Sequence, residues 1–390
     1  MPNYAAAVSS KLPNTATSIF AVMSKLAHEE NAINLAQGYP DFPSSPKLIE
    51  LVNKAMKDGF NQYAPMPGIY SLREAISDKI ATLYGTQYEP ETEITITAGA
   101  TQAIYTIITA LIKKDDEVII FAPAYDCYDP TVRLNGGKTI EIELKAPDFK
   151  VDWQQVKGAI SARTRMIIIN TPHNPTGTIL GREDMQKLQG LVKDTQIVIL
   201  SDEVYEHLIY DGIEHQSIAR FPGLAERSFL VASFGKTFHN TGWKMGYCAG
   251  PHALMKEFRK VHQFNVFSVN HPVQRALTVY LKEKENYLCL SDFFQAKRDL
   301  FLNAIKDSNF SFKPSSGTYF QLLDYSKISN KSDLELAKIW TRNLKVASIP
   351  VSAFYKENAD NKVLRFCFAK SDETLLKGAE ILNSIDRESY

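Results

Sequence analysis

RMIII at Arg165–Ile169 and IVIL at Ile197–Leu200 are two short runs of almost uninterrupted apolar residues. Such runs predict strands that are buried on both faces, as in a parallel sheet covered by helices on either side. Helical patterns separate several further strand-like segments, which lie at Glu93–Thr97, Glu117–Phe121, Thr139–Leu144 and Ser228–Ser233. This alternation predicts an α/β domain with a mostly parallel sheet between helices, spanning residues 45–283.

The C-terminal part of the chain has a different pattern. Strands are predicted at Thr318–Leu323, Val346–Ile349 and Val363–Phe368, and helices at Lys331–Asn343 and Asp372–Asn383. These elements are enough for a smaller α+β domain. A proline-rich loop, QGYPDFPSSP at Gln37–Pro46, leads into the large domain. We expect the N-terminal segment to pack with the tail, so that residues 1–44 and 284–390 form the small domain.

Composition excludes several classes of protein. The 390 residues correspond to two or three domains of roughly 150 residues each. Lys plus Arg equals 44 and Asp plus Glu equals 44, so no bulk positive field favours nucleic acid or an anionic membrane as a partner. No run of about 18 apolar residues predicts a membrane span, and the first residues lack the pattern of a signal peptide.

The cysteines are widely scattered, at Cys127, Cys248, Cys289 and Cys367. They form no CxxC motif and no His/Cys cluster with zinc spacing, so we expect no metal site. Reduced thiols in a cytoplasmic protein are the simplest interpretation.

The segment SFGKTFHNTGWKMGY, Ser233–Tyr247, contains a lysine just after an apolar strand. The Gly235-Lys236 pair suggests a phosphate-binding P-loop, but that motif also needs glycine at position 230, which is Leu230. A lysine that forms a Schiff base with an aldehyde cofactor is a second interpretation. On Lys236 alone, an ordinary loop lysine remains the commoner case.

Three further motifs follow or join predicted strands. TPHNPTG at Thr171–Gly177 has turn-forming residues, and SDEVY at Ser201–Tyr205 places carboxylates where open α/β sheets bind ligands. AGAT at Ala98–Thr101 joins a strand to a helix and offers backbone N–H groups to an anion. Each has an ordinary structural explanation by itself. Their order along one sheet, together with the lysine segment, favours a shared site.

With these motifs the sequence resembles the fold-type-I pyridoxal-phosphate aminotransferases of class I/II. The resemblance extends over nearly the whole chain and is carried by QGYPDF, QYAPMPG, AGAT, FAPAYDCY, NTPHNPTG, SDEVY, SFGKTFHNTGWKMGY and LRFCFAK. The runs KVHQFNVFSVN and FAPAYDCYDP are similar to the branch that holds methionine aminotransferases and kynurenine–oxoacid aminotransferases. The resemblance also implies a cis bond at Asn174–Pro175, at Ala122–Pro123, or at both.

The resemblance implies a role for each cofactor-binding residue. Lys236 would form the Schiff base and later move the substrate proton. Asp202 would pair with the pyridine nitrogen and keep it protonated. Tyr205 and Asn174 would hydrogen-bond the ring oxygen, and Tyr125 would stack on the ring.

The cofactor phosphate would lie at a helix N-terminus. The resemblance places it on the backbone N–H groups of Ala100 and Thr101, with Ser233 and Lys244 adding a hydroxyl and a charge. Many relatives have arginine where this chain has Lys244. The two-pronged contact of an arginine with the phosphate would here be replaced by the single charge of a lysine. Tyr63 would reach the phosphate of the neighbouring subunit, which requires a homodimer.

The substrate residues are implied in the same way. Arg365 would bind the α-carboxylate through a two-pronged contact, assisted by Asn174 and the backbone of Gly38. The side-chain pocket would be formed by Phe20 and Tyr39, together with Phe267 of the partner subunit and Ser268 of the partner subunit. This pocket has no evident second arginine, so it suits methionine or an aromatic amino acid.

The sequence thus predicts a homodimeric, cytoplasmic, pyridoxal-phosphate-dependent aminotransferase that moves an amino group from methionine or an aromatic amino acid, kynurenine included, to a 2-oxo acid. A C–S β-lyase of the same fold is an alternative, because the cofactor motifs do not separate the two. A non-catalytic, amino-acid-sensing protein is a second alternative. Relatives of that kind carry a DNA-binding domain before the aminotransferase-like part, and here the family motifs begin by Gln37.

Overall fold

The computed structural model describes residues 8–13, 15–357 and 359–386. Its strands are, in chain order, β1 (Ile33–Asn34), β2 (Ile94–Thr97), β3 (Glu117–Ala122), β4 (Lys138–Glu143), β5 (Thr164–Asn170), β6 (Val198–Asp202), β7 (Ser228–Ser233), β8 (Gly246–Ala249), β9 (Phe320–Asp324), β10 (Val346–Ala347), β11 (Ile349–Pro350) and β12 (Val363–Cys367).

Helices occupy most of the chain between these strands. In chain order they are α1 (Ile19–Glu29), α2 (Pro46–Lys57), α3 (Tyr70–Tyr84), α4 (Ala100–Leu111), α5 (Tyr128–Leu134), α6 (Trp153–Ala159), α7 (Arg182–Val192), α8 (Pro222–Ala225), α9 (Phe234–Thr237), α10 (His252–Asn265), α11 (His271–Tyr280), α12 (Glu285–Leu288), α13 (Leu290–Ala304), α14 (Asp333–Asn343) and α15 (Asp372–Asn383). Within the described ranges, none of these helices is both long and apolar enough to cross a membrane.

The large sheet has the strand order β2-β8-β7-β6-β5-β3-β4. Strand β8 pairs antiparallel with β2 and β7, and the other neighbouring pairs are parallel. The mostly parallel α/β sheet is therefore confirmed. Strand β8 was not predicted, because its first two residues belong to the lysine segment and its four residues carry no pattern of their own. In the register of β5 and β6, Asn170 lies beside Asp202, so the polar residues at these two strand ends share one edge of the sheet.

Both faces of the central strands are buried, as the apolar runs predicted. Ile167, Ile169 and Ile199 pack into the hydrophobic core on one side of the sheet. Ile168 and Leu200 pack into a second core on the other side. Successive side chains of a strand point to opposite faces, so a run without polar interruptions supplies both cores at once.

The C-terminal part forms a separate antiparallel sheet with the order β11-β12-β9, and β1 pairs with β10 in parallel. The prediction of one strand over Val346–Ile349 is wrong: β10 pairs with β1, and β11 pairs with β12, with Ser348 between them. The pairing of Ile33 with Val346 joins the N-terminal segment to the tail. The domain boundaries at residues 45–283 stay a prediction. The Asn174–Pro175 and Ala122–Pro123 bonds are both cis.

Candidate active site

A cavity of about 260 Å³ lies where the parallel strands of the large sheet end. Strand β12 and the segment before α2 form its opposite side. Thirteen residues predicted for the site line this cavity: Phe20, Gly38, Tyr39, Ala100, Thr101, Tyr125, Asn174, Asp202, Tyr205, Ser233, Lys236, Lys244 and Arg365. The carboxyl ends of parallel strands meet at one edge of a sheet, which is why motifs far apart in sequence converge here.

Lys236 projects into the cavity from α9, the short helix that follows β7. Its Nζ atom donates hydrogen bonds to the backbone oxygen of Gly38 and to the hydroxyl oxygen of Tyr319, both over 2.9 Å. Burial, together with the nearby charges of Arg365 and Lys244, lowers the pKa of Lys236 from 10.5 to about 8. The amine is therefore much closer to its neutral, nucleophilic form at physiological pH than a surface lysine is.

Asp202 is the last residue of β6, and its carboxylate is buried in the cavity wall. The Tyr128 hydroxyl donates to its Oδ2 atom over 2.6 Å, and the Val204 N–H donates to Oδ1 over 3.3 Å. Burial raises the pKa of Asp202 to about 6, while the Tyr128 hydrogen bond acts in the opposite direction. A cationic partner in the cavity would favour the ionised form of this carboxylate.

Arg365 lies in the middle of β12 and is 1% exposed. Its Nη1 group donates to Oδ1 of Asn174 over 2.7 Å, and its Nη2 group donates to the backbone oxygen of Ala36 over 2.9 Å. The Nε atom is buried without a hydrogen-bond partner, and burial lowers the pKa of Arg365 to about 10. Within the described chain this guanidinium forms no ion pair with a carboxylate, so an anionic ligand would complete its contacts.

Helix α4 points its N-terminus at the cavity, and the glycine before it shapes the approach. Gly99 has φ +79°, which lets the chain turn from β2 into α4. A Cβ atom on Gly99 would lie 3.5 Å from the Lys244 Nζ atom, and one on Gly246 would lie 3.0 Å from the Ala100 backbone nitrogen. Helix N–H groups, a lysine ammonium and glycine-lined space together suit a phosphate group.

Aromatic rings line the cavity between these polar groups. The hydroxyl groups of Tyr125 and Thr101 lie 3.4 Å apart, so Tyr125 reaches across the N-terminus of α4. Tyr205 follows Asp202 on the loop after β6 and is buried, and burial raises the pKa of its hydroxyl. A neutral Tyr205 hydroxyl can donate a hydrogen bond to an oxygen in the cavity.

Three predicted residues lie away from the cavity of their own chain. Tyr63 is 80% exposed, and its ring packs edge-to-face against Phe267 at a centroid distance of 5.4 Å. The Ser268 hydroxyl donates to the backbone oxygen of Ala64 over 2.9 Å. The chain thus holds Tyr63, Phe267 and Ser268 together as one group, here called the aromatic patch.

Several cavity residues were missed by the sequence analysis. Phe320 lines the cavity, with its ring 3.8 Å from the Arg365 guanidinium carbon, and Tyr319 lies behind the lining residues, where its hydroxyl contacts the Lys236 amine. Gln37 and Asn170 also line the cavity. Tyr128, which bonds Asp202, lies within the FAPAYDCY motif and could have been found there. Tyr319 and Phe320 belong to a strand-like segment that carries no sign of function.

The fold and this cavity define a class. The chain belongs to the aminotransferase class I and II family, whose model matches residues 30–382. The sequence is 46% identical over 377 residues to the methionine aminotransferase of Escherichia coli, covering 96% of this chain and 98% of that protein. It is 34% identical to human kynurenine–oxoglutarate transaminase 3 over 400 residues, covering 94% of this chain and 88% of the human protein.

The structural comparison agrees with the sequence comparison. The crystal structure of Escherichia coli YbdL, a protein identified as having a methionine aminotransferase function, superposes with a TM-score of 0.95. The match covers 97% of this chain and 99% of that one, at 46% identity. The chain is accordingly an aminotransferase of fold type I, and its cofactor is pyridoxal phosphate.

The cavity fits this cofactor. A buried carboxylate at Asp202 suits a protonated ring nitrogen, and the N-terminus of α4 with Lys244 suits a phosphate. At Gly99 a Cβ atom would lie 3.5 Å from the Lys244 Nζ atom, so the absence of a side chain there keeps the approach to this ammonium open. Lys236 supplies a buried amine on the same cavity wall. The donor set therefore matches each chemical part of pyridoxal phosphate.

Proposed function

We propose that this enzyme moves the amino group of methionine or of an aromatic amino acid, kynurenine included, to a 2-oxo acid. The observation that carries the proposal is the set of cations on the cavity wall. Among the described lining residues these are Lys236, Lys244 and Arg365. If Lys244 binds the cofactor phosphate and Arg365 the substrate α-carboxylate, no further cation of this chain remains for a second carboxylate.

The rest of the substrate pocket is aromatic. Phe20 and Tyr39 line the cavity, and the Phe20 ring lies 5.3 Å from the Arg365 guanidinium carbon. Burying a carboxylate against these rings without a partner would cost several kcal/mol. A methionine thioether would gain roughly 0.3–1.5 kcal/mol from each sulfur–aromatic contact. Both named relatives, the methionine aminotransferase and the kynurenine–oxoglutarate transaminase, are consistent with this preference.

Bound pyridoxal phosphate supplies an electron sink that lowers the cost of removing the substrate Cα proton. In our proposal Asp202 keeps the ring nitrogen protonated, and Tyr128 holds the carboxylate in place. Lys236 accepts the Cα proton and returns it to the product, and its lowered pKa favours this exchange near neutral pH. Tyr125 would stack on the ring.

In the proposed complex Arg365 orients the substrate and Asn174 orients the cofactor ring. Because the Arg365 Nη1 group donates to the Asn174 oxygen, the Asn174 amide nitrogen remains to donate to the ring oxygen of the cofactor. Tyr205 would donate to the same oxygen. The substrate α-carboxylate would bind to Arg365, with the backbone at Gly38 alongside it.

The cofactor phosphate would bind to the backbone N–H groups of Ala100 and Thr101. Ser233 would add a hydroxyl group and Lys244 a charge, and all four residues line the cavity. A point charge suffices here, because the helix N–H groups already define the position of the phosphate.

We also propose a homodimer in which the aromatic patch serves the neighbouring active site. Tyr63 would reach the phosphate in that site, while Phe267 and Ser268 would border its substrate. The exposure of Tyr63 and Phe267 supports this, because large aromatic side chains on a surface favour burial against a partner. The four free cysteines support the proposal that the enzyme works in the cytoplasm.

A C–S β-lyase shares the early steps and remains the rival activity. The test is a panel of amino donors at saturating pyruvate or 2-oxoglutarate, with the amino product and any released thiol measured separately. We expect methionine and aromatic amino acids to exceed aspartate and glutamate by about 100-fold or more in kcat/KM. Aspartate equal to methionine would contradict the proposal, and thiol release with pyruvate formation from cysteine conjugates, without amino transfer, would favour the lyase. A protein that binds amino acids without turnover would favour the sensor alternative.

A further inference from the structure

Tyr319 immediately precedes β9, and its side chain is fully buried beside the cavity. The ring packs edge-to-face against Tyr205 at a centroid distance of 5.2 Å and against Phe320 at 5.0 Å. These contacts fix the ring from two sides. Its hydroxyl group is therefore held at one place, next to the Lys236 amine and the Gly38 backbone.

The direction of each hydrogen bond follows from the available protons. The Tyr319 hydroxyl lies 2.5 Å from the Gly38 backbone oxygen, which can only accept. Tyr319 has one proton, and it is committed to Gly38. The hydroxyl oxygen must then accept from the Lys236 Nζ atom at 2.9 Å. Lys236 donates a second hydrogen bond, also over 2.9 Å, to the same Gly38 oxygen.

A neutral amine has two N–H bonds and one lone pair. Both N–H bonds of Lys236 have an acceptor in this arrangement, so the lone pair faces away from Gly38 and Tyr319, toward the cavity that Lys236 lines. We propose that Tyr319 is a positioning residue for the reaction: its hydroxyl oxygen, oriented by Gly38, turns the Lys236 lone pair toward the substrate Cα proton.

The same arrangement serves the return of the proton. When Lys236 takes a proton, its lone pair becomes a third N–H bond directed into the cavity, while the other two keep their acceptors. That proton can then pass to another carbon of the reacting pair without rotation of the side chain. Lys236 gains one proton from Cα and releases one proton to the second carbon, so the step balances without another reactant. The inference rests on the proposed role of Lys236.

The test compares Tyr319→Phe with Tyr210→Phe. Tyr210 is a matched control, because it is also fully buried and its hydroxyl also donates to a backbone oxygen, that of Thr318. Unlike the Tyr319 hydroxyl, the Tyr210 hydroxyl forms no hydrogen bond with Lys236 in the described structure. We expect Tyr319→Phe to lower kcat about tenfold with little change in KM, and to enlarge the primary isotope effect for an amino acid deuterated at Cα. Tyr210→Phe is expected to leave both quantities at wild-type values.

A second readout uses the protein without cofactor. Labelling of Lys236 by a small amine-selective reagent is followed against pH by peptide mass spectrometry. The Tyr319 oxygen stabilises the ammonium form, so its removal should lower the pKa of Lys236 and shift the labelling midpoint to lower pH. The midpoint should not move in Tyr210→Phe. An unchanged midpoint in Tyr319→Phe, or a shifted midpoint with unchanged kcat and isotope effect, would overturn the inference.

Lys236→Ala, assayed in parallel, distinguishes a failure of the proposed role of Lys236 from a failure of the role of Tyr319 alone. Turnover that persists in Lys236→Ala would refute the proposed role of Lys236, independently of the result for Tyr319→Phe. An inactive Lys236→Ala protein beside a Tyr319→Phe protein that behaves like the wild type would refute the role of Tyr319 alone.

Discussion

The Nη1 group of Arg365 donates a 2.7 Å hydrogen bond to Oδ1 of Asn174. Asn174 follows β5 of the large sheet, whereas Arg365 lies in β12 of the three-stranded sheet. The bond decides which end of the Asn174 amide faces the cavity, because its oxygen is already occupied. It also links the proposed carboxylate-binding residue to a proposed cofactor-binding residue, so a change in one should affect the other.

Arg365→Lys is expected to lower kcat/KM for methionine by about 10- to 100-fold, mainly through KM. A lysine ammonium cannot form the forked contact with a carboxylate and also bind Asn174, and each lost charged hydrogen bond is worth about 1.5–3 kcal/mol. Steady-state kinetics with methionine and a fixed 2-oxo acid measure the effect. The exposed Arg182, changed to lysine, is the control. A KM within twofold of wild type for Arg365→Lys would show that the substrate carboxylate does not bind to the Arg365 guanidinium.

Asp202→Asn is expected to retain bound cofactor but to lose about 100- to 1,000-fold in kcat, because a preorganised charge at the reacting ring is lost. Tyr128→Phe should have a smaller effect in the same direction, since it removes only the hydrogen bond that holds the carboxylate. Asp333→Asn is a matched control: Asp333 is equally buried but bonds Ser352, and it does not line the cavity. Cofactor content by absorbance and kcat are measured together. A kcat within a few-fold of wild type would contradict the role of Asp202.

Incorporation of cofactor into the cofactor-free protein should depend on pH through Lys236. Burial disfavours the ammonium form, which lowers the pKa of Lys236 to about 8. The neutral amine, the form that reacts with an aldehyde, therefore predominates above that pH and is lost below it. The incorporation rate, followed by absorbance from about pH 7 to about pH 10, is expected to rise and then level off soon after the pKa. A rate that continues to rise toward pH 10.5, the ordinary lysine value, would show that the amine is not desolvated.

Shared active sites predict complementation between two defective chains. In a mixed dimer of Lys236→Ala and Tyr63→Ala subunits, one site would combine an intact Lys236 with an intact Tyr63, and the other site would have neither. Random mixing should therefore restore about a quarter of wild-type activity per chain. Activity after co-refolding is the measurement, and each variant alone gives the baseline. A monomeric protein with full activity in Tyr63→Ala would exclude this arrangement.

The sequence by itself determined the α/β architecture and the convergence of the site. Apolar runs such as Arg165–Ile169 specify strands buried on both faces, and Thr171–Gly177 and Ser201–Tyr205 come directly after such strands. Because parallel strands end at a common edge, residues about 30 positions apart had to meet. Local pattern and strand direction were sufficient, and the structure brings Asn174, Asp202 and Lys236 to one cavity accordingly.

Only the tertiary structure decided the contacts between distant segments. Strands β10 and β11 have two residues each, too few to show a period, and their separation depends on which partners, β1 and β12, are available. The bond from Arg365 to Asn174 and the contact of Tyr319 with Lys236 join the large sheet to the C-terminal strands. No local pattern encodes such contacts, because they depend on how two different sheets pack against each other, and that packing fixes the orientation of the reacting groups.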